Sequence, residues 1–234
     1  MKPSLNKHSR ATDNSNVLDM FTGRCIDENP NRIVRLAPEL DGLEMLYSND
    51  SSPEKLYSLK IVCWALRENG EVVGMVPWLN QIVVCTEIND PLNGRWEGYR
   101  DPGIDDVFFT PPAHKVIELE TAAEYYEYQC ETEDDIIQEI PDVIGTHAVL
   151  TRDGFKTFKL CEVRSWQLLA NGTVNGMLID SSRMLETPVL IGDKCLYPAQ
   201  SSPDFKYFFQ HRIANKIKEK DPEALAAISL LIET

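Results

Sequence analysis

The twelve residues "WALRENGEVVGM" (Trp64–Met75) return as "WQLLANGTVNGM" (Trp166–Met177), with seven positions identical. These are the Trp, a Leu, the Asn-Gly pair, a Val, the second Gly and the Met. A second match lies upstream in the same order. "IVRLAPELDG" (Ile33–Gly42) and "IIQEIPDVIG" (Ile136–Gly145) share two leading apolar residues, a proline (Pro38, Pro141), an acid followed by a branched aliphatic, and a final glycine. Pro38 to Pro141 is a step of 103 residues and Trp64 to Trp166 one of 102. Two matches at nearly one spacing indicate a chain that builds one unit twice, which limits the fold more than any composition does.

Each Asn-Gly pair (Asn69-Gly70, Asn171-Gly172) separates strand-like runs. The pair tolerates the positive φ that a two-residue type I′ turn needs at both central positions, so each copy predicts a β-hairpin. Gly74 and Gly176 fall in the returning strands, where a glycine marks a bulge or a close backbone approach. Downstream in the first copy, "KVIELE" reads as a strand. "TAAE" then has capping-box form, with Thr121 and Glu124 opening a helix through "AAEYYEYQCE". In the second copy "TPVLIGDKCLY" supplies a strand, and "SSPDFKYFFQHRIANKIK" predicts a helix. Its N-cap is Ser202 with Pro203 behind it, and Phe205, Phe209, Ile213 and Ile217 face the core. A last helix starts at Asp221-Pro222. The expected fold class is therefore α+β: two diverged tandem halves, 31–132 and 133–234, each with an Asn-Gly hairpin, a further strand and a C-terminal helix. Residues 1–30 are polar and aperiodic and read as a flexible arm.

A chain of 234 residues, 43% of them hydrophobic, can bury a sizeable core. No run approaches the roughly eighteen apolar residues of a membrane span, and the basic start lacks the apolar segment of a secretory signal. A cytoplasmic protein is expected. The six cysteines lie 22 to 45 residues apart without a C-x-x-C pair, which suits reduced thiols better than a metal or disulfide framework. The net charge of −14 is concentrated: between Thr86 and Asp142 sixteen acidic residues face only Arg95, Arg100 and Lys115. Such a surface repels phosphate backbones and anionic lipids, so neither nucleic acid nor a membrane is an expected partner. A basic protein or a cation is.

Positions kept in both copies serve what both share, so Trp64 and Trp166 are expected core anchors. Specific chemistry should lie where the copies differ. The largest difference is the Glu87–His114 loop of the first half, rich in turn formers yet holding Trp96, Tyr99, Phe108 and Phe109. Within it Arg95, Trp96, Tyr99 and Arg100 alternate aromatic and guanidinium groups. They form the candidate ligand-binding set for a small anionic or planar ligand, unless the aromatics pin the loop and the arginines pair with local acids. Asp101, Asp105, Asp106 and His114 form the candidate metal set, for a divalent cation and metal-assisted hydrolysis, although their spacing matches no EF-hand. No nucleotide or dinucleotide motif is present. His147 is a structural residue unless a cysteine meets it in space. Lys206, Arg212, Lys216, Lys218 and Lys220 give the second half a basic helix face suited to the acidic helix of the first half, within one chain or in a homo-oligomer. The expected function is a binding or protein-interaction module, with the acidic segment from Glu118 to Asp142 as a further contact surface for a basic partner. The competing expectation is the hydrolase.

Overall fold

Extended runs punctuated by glycine and asparagine dominate this chain, and they pair accordingly. The computed structural model describes residues 29–50, 54–90, 94–123, 132–152, 157–179 and 196–210. Met1–Pro30 and Asn31–Thr234 are separate units, and every strand described here belongs to the second. The expected arm, 1–30, lies outside the described residues apart from Asn29 and Pro30.

The first copy contributes β1 (Ile33–Pro38), β2 (Glu44–Ser48), β3 (Tyr57–Lys60), β4 (Cys63–Arg67), β5 (Val72–Trp78), β6 (Gln81–Val84), β7 (Asn89–Asp90), β8 (Gly94–Asp101) and β9 (Asp106–Phe108). Helix α1 (Ala113–Ala123) follows. The second copy contributes β10 (Ile136–Pro141), β11 (His147–Arg152), β12 (Thr157–Leu169), β13 (Val174–Ile179), β14 (Leu196–Pro198) and β15 (Phe205–Phe209). All pairings are antiparallel, in sheets ordered β1-β4-β5-β6, β3-β2-β8-β7 with β9 on β8, and β14-β13-β12-β11-β15 with β10 on β12.

The two copies share register residue by residue. Ala37 lies opposite Trp64 as Ile140 lies opposite Trp166, and a bulge interrupts both pairs just after the first residue, Ile33 or Ile136. Trp64 faces Gly74 as Trp166 faces Gly176. Further out, Met45 pairs with Tyr99 as Ala148 pairs with Phe208, each ladder again broken one step later by a bulge. Strands β3 and β4 of the first copy, which lie in two sheets, correspond to the single long strand β12 of the second, which runs through one.

Both hairpins depart from the expected two-residue turn. Gly70 and Gly172 have φ of +85° and +88°, whereas Asn69 and Asn171 do not have positive φ. Gly70 N donates to Arg67 O and Arg67 N to Glu71 O, both at 2.9 Å, and the second copy repeats both bonds at 2.9 Å. This is the three-residue hairpin, a tight turn followed by a left-handed glycine that forms a bulge. Asparagine has another role: its Oδ1 accepts the amide of Glu71 (2.9 Å) or Thr173 (2.8 Å).

The α+β expectation is overturned, because strands dominate and α1 is the single α-helix among the described residues. "KVIELE", expected as a strand, lies inside α1. Its Leu119 is buried while Ile117, Glu118 and Glu120 are exposed, a helical rather than a two-residue period. Phe205–Phe209, expected as a helix behind Ser202, is β15. The Ser202 hydroxyl does accept Asp204 N at 3.3 Å, but the aromatic run then extends along β11. There Phe208 is fully buried against Trp166, with ring centroids 5.2 Å apart. Aromatic residues suit a half-buried pleated surface, and tertiary pairing overrides a spacing of four. The expected helices over 124–131 and 211–234, and most of the strand before Leu196, lie outside the described residues.

One apolar cluster draws on both copies, joining Leu36, Cys63, Val73 and Met75 to Ile140, Trp166, Leu178 and Phe208. The other is centred on Trp64, Met45, Tyr47 and Tyr99, and takes Val149 and Phe209 from the second copy. Two glutamine side chains act as substitute ladder partners between copies. Gln138 accepts from Leu36 N and donates to Leu36 O, both at 2.7 Å. Gln210 does the same to Lys60 at 3.0 and 3.1 Å. Each satisfies a backbone donor and acceptor that would otherwise lack partners.

Candidate functional site

The four residues expected to bind a ligand sit along β8 and face different surroundings. Tyr99 is buried in the core, where its hydroxyl accepts Gly74 N at 3.2 Å and its ring meets Trp64 at 5.0 Å between centroids. Burial, then the nearby Cys85 thiol, push the Tyr99 phenol well above its ordinary range. Trp96 packs edge-on against Tyr99 and Phe109, and its indole N–H has no hydrogen-bond partner among the described residues. Arg100 pairs with the buried carboxylate of Glu44 at 2.6 Å, and exposed Arg95 pairs with Asp50 at 2.9 Å. The loop that was to carry them is itself strand, and β8 corresponds to β15 of the other copy. These positions therefore belong to the repeated framework.

Three of the four candidate metal residues do meet at a cavity. Asp101, Asp106 and His114, with Asp41, Leu43, Ile104, Phe108 and the first-turn stretch Thr110–Ala113, line a space of about 640 Å³. The β8–β9 hairpin builds one side. Asp101 and Asp106 are the cross-strand partners that flank its turn. Asp101 Oδ1 accepts Gly103 N at 2.8 Å, an Asx turn that starts the reversal. Asp105 completes it at φ +54°, a left-handed conformation that aspartate tolerates better than most residues. Ile104 is left at the tip.

The start of α1 builds the second side. Pro111 and Pro112 end the extended segment, and the Pro112 carbonyl accepts Lys115 N at 3.0 Å and Val116 N at 3.2 Å. Lys115 is buried, and its ammonium reaches Pro38 O and Glu118, each at 3.3 Å. That contact ties α1 to the end of β1. The turn between β1 and β2 closes the third side, where Asp41 Oδ2 lies 2.9 Å from His114 Nε2 and 3.9 Å from Lys115 Nζ. Asp105 points away, highly exposed and 3.9 Å from Arg100. No group of three or more His, Cys, Asp or Glu among the described residues is arranged to hold a metal ion.

Comparison with protein-family models, curated proteins and solved structures finds no match.

Sequence reasoning pointed to the Glu87–His114 loop, and named Phe108 in it, but gave no site role to Asp41, Leu43, Ile104 or Phe108. A usable signal existed for Asp41. Asp41 stands inside the repeated segment where the second copy has Ile144, a change from apolar to charged at one position of a shared turn. The described cysteines add no chemistry. Cys63, Cys85 and Cys161 are free, and burial pushes all three thiols up, which keeps them protonated and unreactive. No helix among the described residues is long and apolar enough to cross a membrane. Most of the basic face expected around Lys216 lies outside the described residues, as does the middle of the acidic Glu118–Asp142 segment.

Proposed function

We propose that the protein is a binding protein whose working surface is the cavity between the β8–β9 hairpin, the β1–β2 turn and α1, and that it receives a positively charged group of its partner. The observation that supports this reading is the lining itself. Three carboxylates (Asp41, Asp101, Asp106) stand beside apolar walls from Leu43, Ile104 and Phe108. The N-terminus of α1 contributes the opposite sign, but its macrodipole amounts to only about half a positive charge. Three formal negative charges outweigh it even with His114 and Lys115 near Asp41. The excess of acid over base between Thr86 and Asp142 adds a field that draws cations toward this side of the sequence. The free thiols among the described cysteines suit a reducing, cytoplasmic setting.

Titration with butylammonium chloride, followed by amide chemical shifts, tests the reading. Shifts are expected at Ile104, Asp106 and His114, and are expected to vanish in an Asp101→Asn/Asp106→Asn variant. A titration that leaves those amides unmoved would remove the proposal.

A further inference from the structure

Resting on that reading, we infer that the occupant is a lysine or arginine side chain carried by a polypeptide whose neighbouring residues are apolar. A lysine or arginine joins an apolar stem to a charged head, and the cavity offers both kinds of wall: Leu43 and Phe108 for the stem, Asp101 and Asp106 for the head. A bare metal ion would need several oxygen donors converging on one point, an arrangement absent among the described residues.

What surrounds the cavity separates a polypeptide from a free amine. Ile104, at the hairpin tip, is 72% exposed; Leu40, next to Asp41, is 68% exposed; Ile117, one helical turn beyond His114, is 62% exposed. Ile104 lines the cavity itself, and Leu40 and Ile117 are sequence neighbours of the lining residues Asp41 and His114, so large apolar side chains stand in water around the same elements. A small amine has no atoms to cover them. A polypeptide that anchors one basic side chain and lays apolar neighbours over these side chains buries both, in the pattern of an anchor shielded from solvent by surrounding contacts. The charge balance also favours a basic partner over a second copy of this chain, whose net charge of −14 would repel it.

The test compares two probes on the intact protein, by amide chemical shifts and by fluorescence anisotropy. One is capped lysine (N-acetyl-lysine N-methylamide); the other is the capped pentapeptide Gly-Leu-Lys-Leu-Gly. The pentapeptide is expected to bind at the cavity at least about tenfold more tightly than capped lysine. Raising the ionic strength to about 1 M, where the Debye length shrinks to about 3 Å, is expected to weaken both. Leu40→Ser, at a residue that does not line the cavity, is expected to remove the advantage of the pentapeptide while leaving capped lysine unaffected. Asp101→Asn/Asp106→Asn should abolish both. Equal binding of the two probes, insensitive to Leu40→Ser, would overturn the polypeptide inference and leave the cation-binding reading standing. Absence of any shift at the cavity with either probe would end both.

Discussion

Opposite each core tryptophan, the two copies face one steric problem and solve its polar half with different residues. Trp64 lies over Gly74 and Trp166 over Gly176, and in each case an aromatic ring from a strand not paired with the glycine's own fills the space where a Cβ would stand. In the first copy that ring is Tyr99, whose hydroxyl accepts the amide of Gly74. In the second it is Phe208, which has no acceptor. Gln200, from the 3-10 turn Ala199–Ser201, supplies one instead, taking Gly176 N at 3.3 Å. The tryptophan N–H is handled in parallel: Glu39 accepts it at 2.6 Å and Asp142 at 2.9 Å. The same two acids also take the amides of Leu43 and Thr146, residues at matching places in the two turns. Duplication has thus kept requirements rather than residues: a buried donor needs a partner, and any acceptor that reaches will do.

The copies diverge where no such requirement holds. Cys63 and Cys85 correspond to Ser165 and Ala199, all buried. Asp41 corresponds to Ile144, and there the first copy turns a core-facing position into one wall of a cavity. Strand β9 and helix α1 have no counterpart among the described residues of the second copy.

Equivalence of the copies can be broken most forcefully at the tryptophans. Trp64→Ala and Trp166→Ala should each cost about 3–5 kcal/mol, as large core truncations do, measured by urea unfolding. Because one apolar cluster spans both copies, each variant should still unfold in a single transition. Two separate transitions would show that the halves are independent.

Next come the glycines. Gly176→Ala would place a methyl 2.7 Å from Phe208 Cε1, and Gly74→Ala would place one 2.9 Å from Tyr99 Cε1. Both rings are held fully buried, so overpacking of about 1–3 kcal/mol is expected. The second copy should suffer more, since three of its contacts lie under 3.0 Å. Equal melting temperatures for the two variants would contradict the ordering.

Alkaline pH sharpens the comparison through the cysteines. Burial, and then the charge of Asp142 on Cys63 and of Cys63 on Cys85, raise both thiols in the folded protein above their ordinary value of 9.0. The folded state therefore keeps protons that the unfolded chain releases. Stability from these groups is fully present below pH 9 and declines as pH rises beyond it. Cys85→Ala gives the first copy the residue found in the second, and should flatten that decline in urea midpoints measured from pH 8 to pH 10.5. The smallest effect belongs to Leu40→Ser. An exposed turn residue should change stability by no more than about 0.5 kcal/mol, so any loss of binding in that variant reports on the surface alone.

What the sequence determined by itself is the repeated frame. Its markers act locally: a glycine where φ must be positive, a glycine where no Cβ fits, an asparagine that caps its own turn, an acid that follows proline. Those constraints travel with the residue, so matching letters gave matching registers. The helix and strand assignments outside the frame were decided by tertiary structure. "KVIELE" and "DFKYFF" are short apolar runs compatible with either state, and the outcome depended on what each packs against: β1 for α1, β11 for β15. The cavity lay further still from the sequence. Its walls come from the Asp41 turn, the Asp101–Phe108 hairpin and the Thr110–His114 stretch, which only the folded sheets bring together.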